Sequence, residues 1–371
     1  MRGPHLFSAL VAVHVATAAS AGAQAILDAG ARGAPQHISY DLGAPVGLRV
    51  SQIAVPFAVV LPVARSITID VASAWASSEV EGDGVSSRIS GLTDTQLRAS
   101  WTLGTDAIVL TAGVNLPTGR STVDSAQIDA AGLIGNDFLA FPISNMGTGF
   151  GGTGGVAVAR PIGEWNVGAG ASLRYSGRYE PFEIGGTAVQ YEPGNEYRLR
   201  LGADRPLLGG RMALGATLAM FGPDAAGGTT YATGNRYILQ GAWAGMVRSF
   251  DVSVSAWNLT RGRGETVGGV APWENISNLA VAVSTEVLGT RVEPGVEIRT
   301  WMRDAGEAAS GLHRGNNLGR LATLGVRAEA RFASLLLTPS LGYTIGGVQA
   351  GGPDRASLSG FRVVVGARYG R

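Results

Sequence analysis

The sequence of 371 residues contains no cysteine and no lysine, since all 29 of its Lys-plus-Arg positions are arginine. Without cysteine, disulfides, thiol nucleophiles and thiolate metal ligands are excluded. Without lysine, Schiff-base chemistry and the lysine-dependent phosphate loop are excluded as well. The formal net charge is only +1, so the chain has no large excess of positive charge that would attract a polyanion. We therefore expect no nucleic-acid partner.

Histidine is scarce too. After residue 25 only His37 and His313 remain, so there are few candidates for the histidine of a Ser-His-acid catalytic triad. No group of histidine and acidic residues has metal-ligand spacing. The glycine-rich stretch Gly147–Gly152 fits a dinucleotide fingerprint but lacks the strand, turn and helix that the fingerprint requires. We therefore expect no catalytic residue, no metal and no cofactor; a membrane-embedded hydrolase, the enzyme alternative, would depend on His313.

The N-terminus has the composition of an export signal. Arg2 is followed by an apolar stretch, Leu6–Ala18, and then by small residues that fit a small-x-small cleavage rule before Gln24 or Ile26. The apolar stretch is too short for a comfortable membrane-spanning helix. We predict a signal peptide over residues 1–25 and export to the bacterial cell envelope.

From Leu48 onward the dominant period of hydrophobicity is two. In Trp165–Tyr179, one face carries Trp, Val, Ala and Leu, and the other carries Asn, Gly, Ser and Arg. Tyr197–Asp204 and Arg291–Arg303 repeat the pattern. Such alternation is typical of β-strands with two different environments. Because no later stretch resembles a transmembrane helix, a chain that spans a bilayer must do so as a closed barrel.

The breaks between these strands alternate in length. Tight turns fall near residues 65–66, 104–106, 162–164, 208–210, 248–249, 289–290 and 333–334, and long polar loops near 79–92, 118–147, 180–193, 223–233, 261–273, 305–317 and 348–356. Short turns at one end and long loops at the other are typical of outer-membrane barrels. We predict an all-β, transmembrane antiparallel up-and-down barrel over residues 48–371, with about 14 strands. Residues 26–47 either pack in the lumen or add strands, which would make 16.

The two faces of the alternating strands predict two environments, lipid on one side and water on the other. Aromatic residues near strand ends, such as Trp101 and Tyr175, belong at the lipid headgroups. The polar face suits a wet lumen. The predicted lumen-lining residues are Asp70, Arg98, Arg174, Arg178, Arg198, Arg200, Asp204, Arg236, Asp251, Glu293, Glu297, Arg299, Arg327, Glu329, Arg331, Arg362 and Arg368. They either bias what passes through a pore or fill the barrel as neutralised pairs.

One loop is too apolar to be solvated. Within Ser121–Ser144, the side chains of Ile128, Leu133, Phe138 and Phe141 are the predicted constriction residues. The segment has three possible places: in the lumen as a constriction or lid, on the outer membrane surface, or in a short helix against its neighbours.

Two adjacent segments resemble a known family. Thr93–Leu103, with its Asp, Leu and Trp spacing, is followed by Leu110–Gly119, which ends in Leu-Pro-Thr-Gly. Together with Thr148–Ala159 and Trp165–Tyr179, these resemble the outer-membrane barrels of the meta-pathway phenol-degradation family, over residues 48–371. The resemblance implies a transporter of small, often hydrophobic or aromatic molecules. One departure is the last residue, Arg371, where such barrels end in an aromatic that the assembly machinery reads; Tyr369 stands near that place.

The resulting hypothesis is an outer-membrane channel for the passive passage of small molecules, including hydrophobic or aromatic ones. Its expected partners are outer-membrane lipid, the barrel-assembly machinery and the solutes themselves. The alternative is a closed structural or adhesive barrel that acts through its long extracellular loops.

Overall fold

The computed structural model describes residues 29–82, 84–104, 107–184, 186–266, 269–304, 315–349 and 355–370. The predicted signal peptide and His313 lie outside these ranges, and both remain predictions. In chain order the elements are β1 (Gly30–Gly33), β2 (Gln36–Leu42), β3 (Leu48–Ala64), β4 (Ile67–Gly82), β5 (Val85–Leu92), β6 (Thr95–Leu103), β7 (Ile108–Leu116), β8 (Val123–Asp124), the helix α1 (Ile128–Ile134), β9 (Gly151–Ile162), β10 (Trp165–Ser176), β11 (Tyr179–Ile184), β12 (Thr187–Glu192), β13 (Glu196–Leu207), β14 (Gly210–Phe221), β15 (Pro223–Ala226), β16 (Thr229–Ala232), β17 (Arg236–Val247), β18 (Phe250–Arg261), β19 (Gly264–Thr266), β20 (Gly269–Ala271), β21 (Glu274–Val287), β22 (Thr290–Asp304), β23 (Gly315–Phe332), β24 (Leu335–Gln349) and β25 (Arg355–Gly370).

These strands form a closed antiparallel barrel of 16 wall strands. The strands β1 and β2 are two halves of one wall strand, because both pair with β3 on one side and with β25 on the other. In the same way β5 and β6 both pair with β4. The expected count of about 14 strands is therefore wrong, and the alternative of 16 is confirmed. Closure is the physical reason, since in hydrocarbon an open edge would leave backbone groups without partners.

The connections alternate in length as expected. Tight turns join the strands at one end, including residues 65–66, 163–164, 208–209, 248–249, 288–289 and 333–334. At Leu288 and Gly289 the φ angles are 52° and 76°, a pair of left-handed residues whose twist matches that of the flanking strands. The prediction of a long loop at residues 79–92 is wrong. The strands β4 and β5 pair there as a hairpin that extends the wall.

At the other end, three of the long connections fold into a small structure of their own. Strands β8, β11, β12, β15 and β16 form a five-stranded sheet outside the wall. Two of the connections contribute antiparallel hairpins, β11 with β12 and β15 with β16. The pairing of β12 with β15 joins these hairpins, and the single strand β8 of the third connection pairs in parallel with β11. This part of the chain is therefore ordered β-structure, although its polar composition predicted loops.

The outward face of the wall is apolar. Exposed side chains such as Leu199 and Leu201, at 47% and 64%, alternate with inward polar residues along each strand. In the residues that the structure describes, no helix has the length and apolar character needed to cross a lipid bilayer.

Aromatic side chains mark both edges of this apolar band. On β10, Trp165 lies beside the tight turn and Tyr175 near the opposite end of the strand. Ten residues of strand separate them, about 33 Å along the strand, or about 25 Å across the membrane at a tilt of about 40°. That height matches the hydrocarbon-facing band of transmembrane barrels. Trp165 and Tyr175 therefore lie at the level of the lipid headgroups, where the sequence predicts aromatic residues.

Candidate functional site: the barrel lumen

Residues 117–150, between β7 and β9, fold back into the barrel. Phe138 and Phe141 are 0% and 2% exposed. The Phe141 ring meets the Tyr40 ring edge to face, with 5.6 Å between centroids, and Tyr40 Oη donates to Leu139 O at 3.2 Å. Tyr40 pairs in register with the residue before the outward-facing Phe361, so its ring points inward. The structure shows this segment inside the barrel, and part of it, Ile128–Ile134, is the short helix α1, whose Ala130 and Ile134 are buried. We call residues 117–150 the lumen segment.

A single glutamine joins the lumen segment to the wall at β3. Gln52 is fully buried. Its Nε2 donates to Ile143 O at 2.8 Å, and its Oε1 accepts from Ile143 N at 3.0 Å. Nε2 also donates to Ser78 Oγ at 2.8 Å. One side chain thus satisfies both backbone groups of a residue that has no strand partner, which offsets the cost of burying them.

A second attachment lies on the strands β18, β22 and β23. The Phe138 ring stacks on Trp301, with 5.4 Å between centroids, and Arg299 Nη1 donates to Phe138 O at 2.8 Å. Gly319 leaves room for this ring, because a Cβ there would lie 2.5 Å from Phe138 Cε1. Arg261 forms an ion pair with Asp137 at 3.0 Å. The lumen segment therefore bridges two separated parts of the wall.

The base of the lumen segment is held by Asp94, between β5 and β6. Its Oδ1 accepts from Gly119 N at 3.1 Å, and its Oδ2 accepts from Thr148 N at 2.6 Å and from Asn115 Nδ2 at 2.8 Å. Gly119 has no room for a side chain, since a Cβ would lie 2.2 Å from Met146 O. Asp94 and the Leu-Pro-Thr-Gly stretch, which carried the family resemblance, are therefore joined in space. Together they anchor both ends of the lumen segment.

The four predicted constriction residues differ in their surroundings. Phe138 and Phe141 are in the buried core, and Leu133 packs against it half-buried. Ile128, at the start of α1, is 38% exposed. The core of the protein is thus inside the barrel, between this segment and one side of the wall.

The lumen is consequently divided into two unlike halves. On the inward face of β3 and β4, Ala54, Ala76 and Val80 are fully buried beneath the lumen segment. On the inward face of β6, β10 and β17, polar side chains remain exposed, among them Arg174 and Gln240. We call the first the covered half and the second the open half. The segment fills part of the interior and leaves a polar wall in contact with water.

Alternation along the strands places all but one of the predicted charged residues on the inward face. Arg198 and Arg200, for example, flank the outward-facing Leu199. The inward-facing residues are Asp70, Arg98, Arg174, Arg198, Arg200, Asp204, Arg236, Asp251, Glu293, Glu297, Arg299, Arg327, Glu329, Arg331, Arg362 and Arg368. Arg178 is the exception: it lies past the end of β10 and forms an ion pair with Glu192 at 2.8 Å.

The strands β22 and β23 pair in the register that the charge pattern favours. Glu293 lies opposite Arg327, and Arg291 lies opposite Glu329. The ion pairs that form on this side also reach other strands, since Arg291 pairs with Asp251 at 3.5 Å. Opposite charges on neighbouring strands stabilise the wall and also shape the field in the lumen.

Apart from Arg299, which the sequence analysis placed in the lumen, sequence reasoning missed the residues that hold the lumen segment. Gln52, Tyr40 and Trp301 each look like one more side chain on an alternating strand. Asp94 alone had a signal, because it stands in the stretch that resembles a family. No group of histidine, aspartate and glutamate that could hold a metal ion occurs among the described residues.

We call the five-stranded sheet of β8, β11, β12, β15 and β16 the outer loop sheet. It contains tyrosines whose pKa values are shifted. Tyr179 and Tyr191 meet edge to face, with 5.5 Å between centroids. Burial raises the pKa of Tyr179 to about 12, against a smaller opposing effect of Arg174. Burial, and then the charge of Asp224, raises the pKa of Tyr191 as well.

A raised pKa means that the folded sheet favours the neutral phenols. This contribution to stability is complete below pH 10, the ordinary pKa, and is lost as the pH rises from 10 towards 12. We expect the difference in absorbance at 295 nm between the wild type and Tyr179→Phe to titrate near pH 12. In the protein unfolded in guanidinium, the same difference should titrate near 10. A midpoint near 10 in the folded protein would contradict this burial.

Comparison with solved structures returns outer-membrane proteins at low similarity. An outer membrane channel from Pseudomonas putida F1 is 11% identical, covers 94% of this chain and 97% of its own, and has a TM-score of 0.40. OmpT of Vibrio cholerae is 13% identical over 93% and 98%, with a TM-score of 0.43. A mutant of the Rh. blastica porin is 12% identical over 92% and 99%, with a TM-score of 0.36. No protein-family model and no curated protein matches the chain. The fold assignment rests on the strand pairing itself.

Proposed function

We propose that this protein is an outer-membrane channel through which small molecules pass passively. The observation that carries the proposal is the division of the lumen. A barrel closed by its own side chains would bury the inward faces all round, as happens on the covered half. On the open half, Gln96, Arg174 and Gln240 are instead exposed, which is typical of a water-filled passage.

The location follows from the outward face. An apolar band about 25 Å high, with aromatic side chains at both edges, fits the hydrocarbon of an outer membrane. The predicted signal peptide would deliver the chain there, and the barrel-assembly machinery would insert it. Passive passage needs no catalytic residue, so we assign no enzymatic activity.

The family resemblance and the surface of the open half favour different chemical classes of solute. The preference for hydrophobic or aromatic molecules rests on the family resemblance. The side chains exposed on the open half are polar or basic, and the apolar inward-facing ones, such as Val80, are beneath the lumen segment. Hydrophilic solutes therefore fit this surface better.

The first test is electrophoresis of the detergent-extracted outer-membrane fraction, with and without boiling, followed by conductance in a planar bilayer. We expect a mobility shift on boiling, because the closed barrel resists SDS, and then stable single-channel currents. A shift without current would favour the closed structural or adhesive barrel. Absence from the outer-membrane fraction would contradict the location as well as the channel.

A further inference from the structure

Three arginines on three of four consecutive wall strands, β10, β13, β14 and β17, face the open half of the lumen. They are Arg174 on β10, Arg200 on β13 and Arg236 on β17. Among the residues that the structure describes, none of these three has a carboxylate within 4.0 Å. Arg200 interacts electrostatically with Arg198, Glu196 and Arg98. Arg236 interacts with Arg261, Asp137, Glu196 and Arg198. We call Arg174, Arg200 and Arg236 the arginine strip.

The carboxylates nearest to the strip are already engaged. Glu196 is bound by Arg198. Asp137, on the lumen segment, is bound by Arg261 at 3.0 Å. Glu196 is therefore neutralised by an arginine outside the strip. Asp137, in contrast, shares Arg261 with Glu274, which lies 3.2 Å from the same guanidinium group. The single negative charge that this shared arginine leaves is smaller than the three positive charges of the strip. In the described part of the chain the strip has no carboxylate within ion-pair distance, and Arg236 lies over the Phe221 ring, 5.5 Å from its centroid.

The opposite side of the lumen adds to the same sign of charge. Glu297 lies between two arginines: its Oε1 is 2.5 Å from Arg299 Nη2, and its Oε2 is 3.9 Å from Arg362 Nη2. One carboxylate shared by two guanidinium groups leaves a net positive charge. The group of Glu297, Arg299 and Arg362 therefore has a net positive charge, as the arginine strip has, although the whole chain is nearly neutral.

We propose that the lumen prefers anions to cations and that the arginine strip forms the path of small carboxylates. This inference rests on the proposed channel function and names its class of solute. Charged rings in a pore select ions of the opposite sign, and low-dielectric walls strengthen the field. A guanidinium group also pairs with a carboxylate through two parallel hydrogen bonds, which an ammonium group cannot do.

The experiment is the reversal potential of the full-length purified protein in a planar bilayer under a tenfold gradient of potassium chloride. A single charge about 5 Å from a passing ion in water changes the local concentration of that ion about fourfold. Because the same charge raises the local concentration of chloride and lowers that of potassium, we expect chloride to permeate better than potassium by up to about sixteenfold. We expect acetate, substituted for chloride, to carry current as well.

The variants assign the preference to the strip. The double variant R200Q/R236Q should lower the permeability ratio severalfold, with Arg174 still in place, and R200K/R236K should keep the wild-type anion preference because the charge remains. Arg248→Gln, in the turn between β17 and β18, is the matched control and should leave the ratio unchanged. Current without anion preference, or a preference unchanged in R200Q/R236Q, would overturn this inference and leave the channel standing. A folded barrel without any current would overturn the channel itself.

Discussion

Replacing residues 123–144 with a short glycine-serine linker is expected to raise single-channel conductance about twofold or more, because a barrel of 16 strands encloses an aqueous channel when its interior is not filled. The removed residues include Phe138 and Phe141, which fill the covered half. The linker would leave Gly119 and Thr148 in place, so the contacts with Asp94 remain. Planar-bilayer recording of both proteins measures the effect.

The same replacement has a cost in stability. Each buried Phe or Ile side chain contributes roughly 1.5–3 kcal/mol through burial. The boiling-dependent mobility shift should therefore persist but disappear at a lower temperature. The control is the replacement of residues 224–231, in the outer loop sheet, by the same glycine-serine linker. It should leave conductance unchanged. Equal conductance of the wild type and the 123–144 variant would show that the lumen segment does not restrict the ion path.

Asp94→Ala is expected to release the base of the lumen segment. The change removes the acceptor for Gly119 N, Thr148 N and Asn115 Nδ2. Asn115 Nδ2 keeps its bond to Gly149 O at 2.6 Å, so two backbone donors, Gly119 N and Thr148 N, lose their partner. Each buried donor left without a partner costs about 1–3 kcal/mol, so the total is on the order of 2–6 kcal/mol if the two contributions add. We expect protease cleavage within residues 120–147 to become much faster than in the wild type, and single-channel currents to become noisier.

A matched variant separates this anchoring from a general loss of charge. Asp251→Ala also removes an inward-facing carboxylate, which pairs with Arg291 at 3.5 Å, but it does not touch the lumen segment. It should leave protease resistance near the wild-type level. Gly119→Ala should reproduce the Asp94→Ala result, since its Cβ would lie 2.2 Å from Met146 O and 2.5 Å from Asp94 N. Resistance that stays intact in Asp94→Ala would show that other contacts hold the segment.

The wall could be predicted from the sequence because its cause is local. In Trp165–Ser176 neighbouring side chains face opposite sides of the strand, so a period of two reports the two environments directly. Tight turns such as Leu288-Gly289 are also local, since two left-handed residues suffice to reverse the chain. The apolar composition of Ser121–Ser144 likewise predicted burial, but not where the segment would be buried.

Closure and the filling of the barrel were decided only by the tertiary structure, because they depend on residues far apart in the chain. The two strands beyond 14 are β3 and the one formed by β1 and β2, which closes the barrel by pairing with both β3 and β25. No local pattern in residues 30–42 indicates the pairing with β25. Gln52 recognises the backbone of Ile143, 91 residues later. Asp137 on the lumen segment is likewise bound by Arg261 of the wall, and Glu297 on β22 by Arg362 on β25. Alternation determined which side chains face inward, but only packing across the lumen decided which of them remain in contact with water.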